Sequence, residues 1–162
     1  MPPVSPPDLF SLIRLGVALD DLGEESLLRQ LQDLNEYHRT LLHTAIAHKQ
    51  AAYALFLLKK GINVHQADYE GATALHFAAY YRMTDVVTGI LARHGNPNAK
   101  DKHGNTPLWT AVLNARGDYR VVQLLVDAGA DPAAENKYGK TPMGIARQIK
   151  DEALQQVLSA KQ

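Results

Sequence analysis

Threonine recurs along the chain at Thr40, Thr73, Thr106 and Thr141, spaced by 33, 33 and 35 residues, and a fixed pattern travels with it. Two residues after each stand Leu42, Leu75, Leu108 and Met143, and three further on Ala45, Ala78, Ala111 and Ala146. Two residues before each stand His38, Gly71, Gly104 and Gly139, with Asn35, Asp68, Asp101 and Asn136 three earlier still. Register held over four copies constrains the fold more tightly than any composition does. A unit of this length is one supersecondary element that cannot bury its own apolar face, so copies stack and share a continuous core.

Each copy reads as two short helices and a turn. Threonine ahead of Pro107 and Pro142 is a helix start, since the hydroxyl caps and proline at the first position loses no hydrogen bond there. Leu75 with Ala78, and Leu108 with Ala111, mark a buried stripe whose small alanines let neighbouring helices approach. A second, bulkier helix covers Tyr53 to Leu58, Val86 to Leu91 and Val121 to Val126. It is expected to stop at Gly61, Gly95 and Gly129, glycine suiting a left-handed cap. The stretches Asp68 to Gly71 and Asp101 to Gly104 are tight turns in which glycine supplies positive φ. The expectation is an all-α solenoid of stacked repeats with projecting hairpin-like turns and capping helices at both ends.

The divisions expected are a disordered, proline-rich start over 1–7, a divergent N-terminal helical cap over 8–34, and repeats over 35–67, 68–100 and 101–135. A C-terminal capping repeat over 136–162 completes a single domain. The N-terminal cap carries two apolar helical patterns, Leu9 to Leu15 and Ser26 to Leu34, with Asp8 as a helix cap. In the last copy Arg147, Gln155, Gln156 and Ser159 fall at usually apolar positions, as the polar outer side of a cap requires. Counting between motif positions implies one extra residue before Gly95 and two extra around Ala115 to Asp118, enlarging the loop between helices there.

The segments GATALHFAAY (Gly71 to Tyr80) and GNTPLWTAV (Gly104 to Val112) resemble the ankyrin-repeat motif G-x-T-P-L-H-x-A-A. VVQLLVDAGADP (Val121 to Pro132) looks like the second helix and loop of that repeat, and the likeness covers about residues 35–162. His38 departs from the motif glycine, Leu41 and Ala74 from the proline, and Trp109 from the histidine. The resemblance implies non-enzymatic recognition of another protein through the concave side formed by turn tips and first helices. On the tips this points to Tyr37, Arg39, Tyr69, Glu70, Lys102, His103 and Tyr138; on the first helices, to Phe77, Tyr80, Tyr81, Arg82, Trp109, Leu113 and Asn114. The second repeat concentrates the types enriched in binding hot spots, with Trp109 expected to adjoin them. Phe77 and Trp109 are as readily half-buried between repeats. Tyr80 and Tyr81, adjacent on a helix, cannot both face the core, so at least one faces solvent or a partner.

Composition narrows the partner. Seventeen basic residues balance seventeen acidic ones, which argues against nucleic acid or an anionic membrane, both bound through clustered positive charge. The longest apolar run, Ala51 to Leu58, falls far short of the roughly 20 residues a membrane helix needs. MPPVSPP at the start has neither the basic nor the apolar region of a secretory leader. A soluble, cytoplasmic protein, monomeric on its own, is expected.

Chemistry finds few residues to work with. Cysteine is absent, which removes thiolate ligands and nucleophiles. His43 and His76, one repeat apart, are expected to hydrogen-bond backbone between repeats; His43 and His48 are wrongly spaced for one helical face. Ser5, Ser11, Ser26 and Ser159 lack a nucleophile turn, and GNTP and GKTP belong to the repeat turn rather than to a phosphate loop. Glu24 and Glu25 read as the first turn of a helix. No catalytic residue, cofactor or metal is expected. The partner class includes a toxin neutralised in the manner of an immunity protein or antitoxin, an inhibited enzyme, or an adaptor's client. A catalytic or metal-dependent site on the repeats, or an oligomer-forming structural piece, are the competing readings.

Overall fold

The computed structural model describes residues 8–17 and 29–160. The expected disorder over 1–7, most of the Ser26 side of the second N-terminal pattern, Glu24 and Glu25, and the last two residues lie outside the described residues. Among the described residues the helices are α1 (Leu9–Leu15), α2 (Leu41–Ala47), α3 (Ala51–Lys59), α4 (Ala74–Tyr80) and α5 (Thr84–Leu91). They continue with α6 (Pro107–Asn114), α7 (Arg120–Asp127), α8 (Pro142–Gln148) and α9 (Glu152–Ser159). First helices α2, α4, α6 and α8 pack in order on one another, second helices α3, α5, α7 and α9 do the same, and α1 rests on α2. Leu42, Leu75, Leu108 and Met143 are all buried, as are Ala45, Ala78, Ala111 and Ala146, so the two positions form two rows through one continuous core. The chain is an all-α repeat solenoid.

The Asn or Asp of every copy builds the turn. Oδ1 of Asp68 accepts the N–H groups of Glu70 and Ala72 at 2.9 and 3.0 Å, while the Asp68 N–H donates to the Ala72 carbonyl at 2.9 Å. Asn35, Asp101 and Asn136 repeat this bond for bond. The Ala67–Thr73 bridge makes the turn of the second copy hairpin-like. Adjacent turns are then stitched together: the N–H groups of Tyr69, Lys102 and Lys137 donate to the carbonyls of Tyr37, Glu70 and His103. Gly71, Gly104 and Gly139 take positive φ in these turns, and His38 takes the same conformation at φ 62°.

Two kinds of cap start the first helices. Thr106 and Thr141, each followed by proline, accept from the N–H of Trp109 and Gly144. In α2 and α4 the histidine three residues on reaches back, Nδ1 of His43 and His76 accepting the N–H of Thr40 and Thr73 at 3.2 and 3.1 Å. A backbone N–H can only donate, so these rings carry their proton on Nε2.

The structure corrects the register expected before Gly95. No residue is inserted before Gly95; the left-handed cap of α5 is His94, at φ 61°, in register with Gly61 at 90° and Gly129 at 86°. Matching main-chain bonds prove the register, since Ile62, Gly95 and Ala130 donate in turn to Leu57, Ile90 and Leu125. Gly95 is required for space: a Cβ there would lie 2.4 Å from Ile90 Cγ2. The lengthening in the third copy is real. α6 runs one residue longer than α4, and five residues, 115–119, join it to α7 where three, 81–83, join α4 to α5. Tyr119 in that loop donates its hydroxyl to the Asp151 carboxylate at 2.5 Å, tying the loop to the cap of α9.

Candidate protein-binding surface

The turn tips expose their aromatics because the Asx geometry turns those side chains away from the helices. Tyr37, Tyr69 and Tyr138 are 55, 71 and 68% exposed, and Tyr80 at the end of α4 is 54% exposed. They are nonetheless held in place. His38 stacks on Tyr69 with ring centroids 5.1 Å apart, and His103 on Tyr138 at 6.3 Å. Glu70 pairs with Lys102 from the next tip. Rings ordered before binding have less entropy left to lose on it.

Arg39 faces inward. Its Nε donates to Asp68 Oδ2 at 2.9 Å, against a carboxylate only 1% exposed, and its guanidinium lies over Phe77 (4.9 Å) and Tyr37 (5.4 Å). The Asp68 carboxylate therefore holds the turn with one oxygen and the neighbouring repeat with the other. Phe77 is half-buried, its ring also edge-on to His43 at 5.4 Å.

Phe77, Tyr80 and Tyr81 line a groove of about 350 Å³ with Ala72, His76, Asp101 and Thr110. Tyr80 and Tyr81 meet edge to face at 4.9 Å, Tyr80 exposed and Tyr81 packed on the core, so the pair divides as adjacency required. Trp109 does not line this groove. Thr110 does, one repeat after Phe77, and sequence reasoning passed over it because a threonine carries no hot-spot signal. Tyr37 and Arg39 line a separate groove of similar volume with Phe10, Leu34, Ala47 and His48. Leu113 is exposed near the end of α6, and half-buried Asn114 donates to the Thr110 carbonyl at 2.8 Å. Arg82 is exposed in the loop after α4.

The histidines between repeats are structural. Nε2 of His76 lies 3.1 Å from the Asn105 carbonyl, as expected, whereas Nε2 of His43 has no hydrogen-bond partner. Desolvation pushes the His43 imidazole down to about 4 and lowers His76 in the same direction. Both rings are therefore neutral near pH 7. Among the described residues no three His, Cys, Asp or Glu side chains gather as metal ligands, and no helix is long and apolar enough to cross a membrane.

Stacked two-helix units with stitched, projecting turns and exposed aromatic tips define a repeat solenoid. Residues 65–136 match the family model of ankyrin repeats (3 copies). The chain is an ankyrin-repeat protein. It is 28% identical over 127 residues to human transient receptor potential cation channel subfamily A member 1, covering 77% of this chain and 11% of that protein. It is 30% identical over 126 residues to mouse Rabankyrin-5 (70% of this chain, 11% of that protein). A putative palmitoyltransferase, ZDHHC13, of Danio rerio is 33% identical over 120 residues, 73% of this chain and 18% of that protein. The chain thus spans less than a fifth of the length of these relatives. Ankyrin repeats are generally modules of protein–protein interaction.

Proposed function

We propose that this array binds one protein partner across the turn tips and the groove of α4, without catalysing a reaction. The observation that carries this reading is the run of exposed tyrosines, Tyr37, Tyr69, Tyr80 and Tyr138, presented on one repeating scaffold. Tyrosine supplies large amphipathic contact area at low entropic cost and is enriched where binding energy concentrates. Their stacking on His38 and His103 pre-organises two of the four. Charges of both signs at the tips, with Glu70 paired to Lys102, fit a partner of mixed polarity.

Affinity capture from the native host with the intact protein and with a Tyr69→Ala/Tyr80→Ala variant tests this. A protein retained by the first and lost by the second is the expected result. Identical captures with the two baits would remove the surface from consideration. The activity of the captured protein, with and without the array, then separates a toxin or enzyme silenced by occlusion from a client held for another protein.

A further inference from the structure

Left-handed residues recur in three places: in each turn, after α3, α5 and α7, and in each loop between the helices of a copy. Glycine fills most of the first two, as Gly71, Gly104 and Gly139 in the turns and Gly61 and Gly129 after second helices. Between the helices it appears once, as Gly117 at φ 85° in the lengthened third loop. The second residue after each first helix is instead Lys49, Arg82, Arg116 and Lys150, at φ 58, 55, 49 and 58°. A side chain in this conformation is less favourable than glycine, which adopts it without steric cost. Lysine and arginine together are only 17 of 162 residues, so composition does not account for a cation in all four copies. Strain accepted repeatedly for one kind of side chain marks a functional constraint.

We propose that Lys49, Arg82, Arg116 and Lys150 form a docking ridge for an acidic, extended segment of a protein partner. All four are exposed, and none forms an ion pair with a described residue. Lys49, Arg82 and Arg116 line one cavity of about 320 Å³ with Tyr80, Tyr81 and Asn114, and the Lys49 ammonium lies 5.7 Å from the Tyr81 ring. Acids near the ridge are already engaged: Asp118 by Arg120 and Asp151 by Tyr119. Packed helices stand about 10 Å apart, so the cations follow at nearly that interval. A polyproline-II strand repeats every third residue at about 9 Å, which places a carboxylate at each cation when every third residue is acidic. Isolated cations at this interval, with carboxylates between them, suit separated side chains better than a continuous phosphate backbone. The ridge stands whether or not the tips bind a partner.

The probe is a peptide of about twelve residues with glutamate at every third position among prolines and alanines, titrated at low salt against the whole chain. The glutamine analogue is expected to bind roughly tenfold more weakly or worse, and added salt to weaken the glutamate peptide. Glycine suits the backbone at all four positions, so Lys49→Gly/Arg82→Gly/Arg116→Gly/Lys150→Gly is expected to fold at least as stably while losing the same affinity. Tyr69→Ala and Tyr138→Ala are expected to leave peptide binding intact, which separates this ridge from the tips. Equal binding of the two peptides, undiminished binding by the glycine variant, or loss of binding in the tip variants would overturn the proposal. So would ridge-dependent binding of an oligothymidylate tighter than that of the peptide.

Discussion

The imidazole of His76 joins two repeats, accepting the Thr73 N–H on Nδ1 and approaching the Asn105 carbonyl with Nε2, each at 3.1 Å. His43 caps Thr40 in the same way, but its Nε2 has no hydrogen-bond partner. His76→Ala removes a cap and an inter-repeat hydrogen bond, and His43→Ala a cap, an unsatisfied donor and the edge-on contact with Phe77. Urea unfolding is expected to show His76→Ala destabilised by about 1 kcal/mol more than His43→Ala. Equal losses would mean that the bond to Asn105 contributes nothing between the repeats.

Stability should fall on mild acidification. Burial holds the folded His43 imidazole down to about 4, below its ordinary 6.5, so between these values the unfolded chain binds the proton that the folded chain refuses. Stability is therefore complete above the unfolded value and lost as pH falls toward the folded one, by about 3 kcal/mol in all. His76 is lowered too and adds to the loss in the same direction. Urea unfolding at neutral pH and at the middle of that interval measures the slope, and a His43→Gln variant is expected to show a shallower one. An unchanged slope in that variant would locate the acid sensitivity elsewhere.

Gly95 tests the corrected register. A methyl group there meets Ile90 Cγ2, so Gly95→Ala is expected to cost about 1–3 kcal/mol. Ile90→Leu removes the offending γ-methyl, and in that background the Gly95→Ala penalty should shrink. His94→Gly, at the true left-handed position, should be neutral or stabilising. Additive losses in the double variant would show that the two atoms do not meet.

Ala78 has no exposed surface and lies where first helices stack. Ala78→Arg forces a long cation between α4 and its neighbours and is expected to abolish cooperative unfolding, with a loss of helicity visible by circular dichroism. Native helicity and melting behaviour in this variant would contradict the stacked core.

Much of the architecture was legible because each repeated residue has a local duty. Asp68 and its counterparts close their own turn, Thr106 caps its own helix, and Leu75 and Ala78 share one helical face, all within a few residues of sequence. What escaped depends on the neighbouring copy or on competition for one position. Arg39 reads as a tip residue, yet its partner Asp68 lies 29 residues away and draws it inward. Gly95 reads as a left-handed cap, whereas the adjacent His94 takes that conformation and Gly95 makes room for Ile90. Aromatic character foretold Tyr69 and Tyr80 as exposed, but not that Thr110 rather than Trp109 would border the groove.

Calorimetric titration of the purified partner against the intact chain and against Tyr80→Ala tests protein recognition by this surface most directly. The expected result is a loss of about 1–3 kcal/mol of binding free energy with an unchanged circular dichroism spectrum. Near-native affinity in that variant, with Tyr69→Ala equally silent, would contradict recognition through the exposed tyrosines.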